Sequence, residues 1–181
     1  MEFVNKIENM VGGWLKSVPH LPTAGQKWLG VNVWWIVLIG VILSGIGLLM
    51  SLGGIFTAIT FIGATTTYYG ALVAESYTGM WFVSAIVSLI FSAVSVLILA
   101  LAINPLKNLQ KKGWSLLFLS WLVNAVAIVV NIVLSFSVLT LIMGIIFGGI
   151  VLAISAYFIF EIRGQFQGST KKAKAATAAT K

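Results

Sequence analysis

From Trp114 to Phe160 the chain runs for about 47 residues without one charged side chain. A single helix of that length would reach ~70 Å, more than twice the ~30 Å hydrocarbon core of a bilayer. The run must therefore fold back, and Ser135-Phe136-Ser137 is the most polar place for the turn. Two spans result, Trp114 to about Phe136 and Val138 to Phe160. The same criterion gives two more: Val33 to about Leu52, and Met80 to Ile103, the latter opened by Trp81 and expected to stop at Asn104-Pro105. The expected fold is an all-α integral membrane protein, a four-span bundle with a fifth span as the alternative.

Composition supports this reading. The 181 residues are 60% hydrophobic and 8% charged, where soluble domains carry about 25%. Cysteine is absent, which excludes disulfides, thiolate metal sites and a cysteine nucleophile. Aspartate is absent too, and the four acids are Glu2, Glu8, Glu75 and Glu161.

Orientation rests on Asn104 to Gly113, the one strongly basic break between apolar runs. Lys107, Lys111 and Lys112 crowd it, and short cytoplasmic loops carry such an excess. With four spans, the N-terminal segment, this loop and the tail share one side, so every Lys and Arg is cytoplasmic. That predicts a plasma-membrane protein with both termini inside.

Residues 1–22 lack the pattern of a signal peptide. Phe3, Val4, Ile7, Met10, Val11, Trp14, Leu15 and Val18 recur at helical spacing, with Glu2, Asn5, Lys6, Glu8, Asn9 and Lys16 on the other side. The pattern describes an amphipathic helix lying in the membrane interface or packed on the end of the bundle. Pro19 and Pro22 close it, and His20 between them is expected to be exposed. Thr23-Ala-Gly-Gln26 matches a capping box, and Lys27, Trp28, Trp34 and Trp35 form an interfacial collar.

Residues 53–79 are the ambiguous stretch. Ile55 to Ile62 is apolar, but Thr65 to Tyr69 and Glu75 dilute the hydrophobicity beyond it. The stretch reads as an outer re-entrant hairpin, or as an extra span after a tight turn at Gly53-Gly54. A fifth span would put Lys6, Lys16 and Lys27 outside, which the positive-inside rule disfavours. Residues 164–181, rich in Gly, Gln, Thr, Ala and Lys, are expected to be a disordered cytoplasmic tail. Lys171, Lys172 and Lys174, like Lys107, Lys111 and Lys112, suit anionic lipid headgroups at ~1 kcal/mol each, in preference to nucleic acid.

Each span carries a stripe of small or polar residues: Gly40, Ser44, Gly47 and Ser51; Ser84, Ser88, Ser92 and Ser95; Ser120, Asn124, Ala127, Asn131 and Ser135; Thr140, Gly144, Gly148 and Ser155. Lipid provides no hydrophobic drive between helices, so close approach at small residues and interhelical hydrogen bonds of about 0.6 kcal/mol each must assemble them. The stripes read first as packing seams, either within the chain or against itself or another membrane protein. The alternative is a polar path for a small neutral solute or ion, lined by Ser120, Asn124, Asn131 and Ser135, with Glu75 at the outer mouth. The four spans hold no ionisable group before Glu161, which disfavours proton-coupled transport. There is no His-Glu metal spacing, paired carboxylate or phosphate-cradling loop, so neither a cofactor, a metal nor an enzymatic activity is expected.

Overall fold

The computed structural model describes residues 2–69, 74–135 and 138–166. The described chain is helical: α1 (Glu2–Leu15), α2 (Thr23–Tyr69), α3 (Ala74–Lys107) and α4 (Lys111–Ser135), then α5 (Val138–Met143), a π-helical turn (Gly144–Gly148) and α6 (Gly149–Glu161), closed by a 3-10 turn (Arg163–Phe166). Four stretches are long and apolar enough to cross a membrane: Thr23–Thr60, Phe82–Lys107, Lys111–Leu134 and Leu141–Glu161. The protein is a multi-pass membrane helix bundle with a short N-terminal helix. Successive long helices pair as neighbours, α2 with α3, α3 with α4, and α4 with α6.

The break expected at Gly53-Gly54 is absent, because α2 continues through it to Tyr69 as a helix of 47 residues. Each glycine in a helix interior costs about 1 kcal/mol relative to alanine, which weakens a helix without ending it. Residues 53–69 are thus neither a re-entrant hairpin nor a separate span. They prolong α2 beside the start of α3. Since α3 has 34 residues and α4 only 25, the α2–α3 pair outgrows α4 by ~14 Å.

Pro105 does not stop α3 where the sequence suggests, and lies within its last turn. Proline removes its own N–H but leaves later residues free to continue for a few positions. The helix then closes with a Schellman motif: Gln110 N–H donates to the Pro105 carbonyl at 2.9 Å and Leu109 N–H to the Leu106 carbonyl at 3.0 Å. Leu109 occupies the left-handed position at φ 51°, a place usually taken by glycine. Beyond it, α4 opens against the end of α3. A Cβ on Gly113 would lie 2.6 Å from Leu106 N and 2.7 Å from the Pro105 carbonyl carbon, so only glycine permits this approach.

The buried core lies at this end. Val33 and Val37 of α2, Ala102 and Leu106 of α3, and Trp114, Leu117 and Phe118 of α4 meet Ile159, Ile162 and Phe166. Trp114 stacks on Phe118 at 5.5 Å, and Phe160 meets both rings edge-on. Phe166 is fully buried and Gln165 packs on Gly30, so residues 164–166 belong to the packed end of the bundle. Residues 167–181, with Lys171, Lys172 and Lys174, lie outside the described residues.

Gly113→Ala should destabilise the protein by about 1–3 kcal/mol, the usual cost of overpacking. Gly47→Ala, where a Cβ meets nothing within 4 Å, should be nearly neutral. Thermal unfolding in detergent, read by circular dichroism, compares them; equal midpoints would show that the α3–α4 approach is not close.

Candidate functional site at the basic end of the bundle

The N-terminal helix docks where α6 ends. Val11 is buried, Ile7 packs on the core, and Gly12 faces the Phe160 ring. Met10 and Trp14 point away from the bundle, Trp14 being 70% exposed. The helix therefore divides its apolar residues between the bundle and a free side, and it is packed on the end of the bundle, one of the two sequence expectations. Arg163 bonds Glu8 across this contact and lies over the Trp114 ring at 5.2 Å. Lys107 covers Trp34 at 5.3 Å.

Beneath α1 sits Glu161, whose side chain is 3% exposed. A buried carboxylate is tolerated only where it is paired and hydrogen-bonded, and here three donors converge. His20 Nδ1 lies 2.5 Å from Oε1, an ion pair when the imidazole is protonated. Leu21 N–H and Gln26 Nε2 donate to Oε2 at 3.0 and 2.9 Å. Tyr157 donates its hydroxyl to the Pro19 carbonyl at 2.8 Å. The α1–α2 connection is thus clamped to the end of α6. His20 is exposed, as expected, at 58%, and also carries a specific bond. The clamp corrects the expectation for Gln26, which serves Glu161 and the Leu21 carbonyl rather than a capping box. Thr23 is already helical, so it cannot cap from outside.

A cavity of about 460 Å³ opens beside this clamp, bounded by α1, His20, Gln26, Tyr157, Glu161 and Arg163. Sequence reading missed it. The available signal was Glu161 itself, the lone acid closing a long apolar run, since ionisable groups at such positions have named partners.

The expected polar path lies elsewhere and is largely consumed by pairing between α3 and α4. Ser84 and Ser88 donate to Asn131 Oδ1 at 3.2 and 2.7 Å, and Asn131 Nδ2 returns to the Ala127 carbonyl at 2.9 Å. Nearer the basic end, Ser95 and Ser120 share a hydrogen bond of 2.8 Å. Asn124 Nδ2 donates to Ser95 Oγ at 2.8 Å and to the Ser120 carbonyl at 2.9 Å. The stripes of α3 and α4 therefore face each other. Asn124 nonetheless remains exposed. The side chains of Glu75 and Ser135 lie outside the described residues.

Gly144 and Gly148 face Ile132 and Ile128 of α4, at distances that leave little room for a Cβ. The α2 stripe behaves differently. Nothing lies within 4 Å of a Cβ built on Gly40 or Gly47, and Ser44 and Ser51 are exposed. As a seam within the chain this stripe is unmatched among the described residues, because α6 meets α2 nearer the basic end, at Gln26, Val33 and Val37. Ser51 borders an open cleft of about 770 Å³ that Ser88 and Ser92 line from α3. Lys111 and Lys112 are exposed at the basic end. Among the described residues no group of three His, Cys, Asp or Glu side chains is placed to hold a metal.

Comparison with protein-family models, with curated proteins and with solved structures finds no match to this chain.

If the clamp acts as described, His20→Ala and Glu161→Gln should each destabilise the protein. Their double mutant should lose less than the sum, with a coupling of at least about 0.5 kcal/mol, as groups in direct contact show. Additive losses in chemical unfolding would mean that the pair does not interact.

Proposed function

We propose that this chain is a small multi-pass plasma-membrane protein with a structural or interaction role and no catalytic site, its basic end in the cytoplasm. The orientation is supported by Lys6, Lys16, Lys27, Lys107, Lys111, Lys112 and Arg163, all of which lie in or beside α1, at the start of α2, around the α3–α4 loop or at the end of α6. Short segments so rich in Lys and Arg stay on the cytoplasmic side.

The observation that carries the interaction role is the contrast between seams. The polar groups of α3 and α4 bond each other, and the glycines of the fourth span meet α4. The stripe Gly40, Ser44, Gly47 and Ser51 has no counterpart among the described residues. Small residues on an open face let another helix approach closely, where packing and hydrogen bonds drive association. A second copy or another membrane protein fits that face. A passive polar path is the second reading, favoured by the exposure of Asn124 beside the α3–α4 seam.

The absence of cysteine allows a direct test. Gly47→Cys should give intermolecular crosslinks in native membranes, whereas Asn124→Cys should resist a water-soluble maleimide. Rapid labelling at Asn124 with no crosslinking at Gly47 would replace the interaction role by the polar path. Tyr77→Cys and Gly25→Cys report the two sides, and labelling of Gly25→Cys from outside would invert the orientation.

A further inference from the structure

We propose that the cavity at the basic end is a binding site for a phosphate group, held beneath α1 and supplied by an anionic lipid. This goes beyond the interaction role and does not depend on the α2 face.

The chemistry follows from which lining groups are already committed. Glu161 has its three donors, and Glu8 has Arg163. Both carboxylates are therefore already partnered. On the basic side, Lys16 forms no ion pair among the described residues, and Arg163 spends one Nη on Glu8. Lys16 and the rest of the Arg163 guanidinium thus leave the lining with surplus donors. Arginine and lysine recognise phosphate through charge-assisted hydrogen bonds, arginine through a planar fork of N–H groups.

The volume is also provided for. Gly12 and Gly13 line the cavity from α1, and a Cβ on Gly13 would meet nothing within 4 Å. Two adjacent glycines weaken a short helix by about 1 kcal/mol each, and here they leave about 460 Å³ open above Glu161. The place suits a lipid, since exposed Trp14 and Trp28 flank this end of the bundle, and tryptophan marks the headgroup level of a bilayer. A lipid phosphate is therefore presented at the cavity's own depth. A soluble phosphate compound shares the same chemistry and must be distinguished by experiment.

The test uses the purified full-length chain in dodecylmaltoside, with native mass spectrometry as readout. The probes are dioctanoyl phosphatidylglycerol, dioctanoylglycerol with the same tails and no phosphate, and glycerol phosphate with no tails. Saturable binding of the first and none of the second is expected. Gly13→Leu, which fills the cavity without touching a charge, and Lys16→Gln should each weaken it about tenfold, equivalent to ~1.4 kcal/mol. Glycerol phosphate displacing the lipid at equal concentration would uphold the phosphate site and overturn the lipid as its source. Lipid bound equally well by both variants and by the unaltered chain overturns the site.

Discussion

Hydrocarbon offers no partner to a backbone N–H or C=O, and the long helices of this protein follow from that constraint. It explains why α2 runs unbroken through Gly40, Gly45 and Gly47, inside its apolar span. It also explains the fate of hydroxyls along the spans. Ser51 bonds the Gly47 carbonyl, Thr57 the Gly53 carbonyl and Ser155 the Val151 carbonyl, each four residues back. These bonds satisfy a polar side chain without a second helix. Asn131 and Asn124 have too many donors and acceptors for that solution alone, so they recruit the serines of α3.

The two ends of the bundle are held by different forces. Close burial is concentrated at the basic end, where Trp114, Phe118, Leu106 and Phe166 are removed from any surrounding medium. Their packing is reinforced by indole N–H groups that donate to helix carbonyls, Trp114 to Ile159 at 2.8 Å and Trp121 to Leu152 at 3.0 Å. Further along the spans the apolar side chains face outward, which in lipid costs nothing. Assembly there depends on close approach at Gly144 and Gly148 and on the α3–α4 hydrogen bonds. The hydrophobic effect cannot do that work between surfaces already surrounded by hydrocarbon.

This division decides what could be read from the sequence. The spans and the amphipathic α1 depend on local composition and periodicity, and both are visible there. So were the serines of α3 and the asparagines of α4 as candidate seams, though not which seam met which. Phe136 and Ser137, at the expected turn between the last two spans, lie outside the described residues. The continuity of residues 53–69 was hidden because glycine is ambiguous: it can turn a chain or merely soften a helix. The clamp was hidden by distance, since His20 and Glu161 are 141 positions apart. A histidine between two prolines carries no local sign of such a partner, and Gln26 fits a capping box as well as it fits a carboxylate.

The pairings also rank how firmly each helix is held. Between α3 and α4 run hydrogen bonds at two levels, a loop of three residues and the glycine-limited contact at Gly113. The contact of α2 with α3 is made by small and apolar side chains around the open cleft, with Lys107 over Trp34 at the basic end. What fastens α2 more firmly is the Glu161 clamp, through Leu21 and Gln26 at its very start. Among the described side chains, a helix tied at one end and packed by dispersion beyond it gives up only contacts that lipid or another helix can replace. A change in the outer part of α2 therefore leaves the polar groups of α3 and α4 satisfied. That makes α2 the element on which exchange of lipid for a partner costs the fold least.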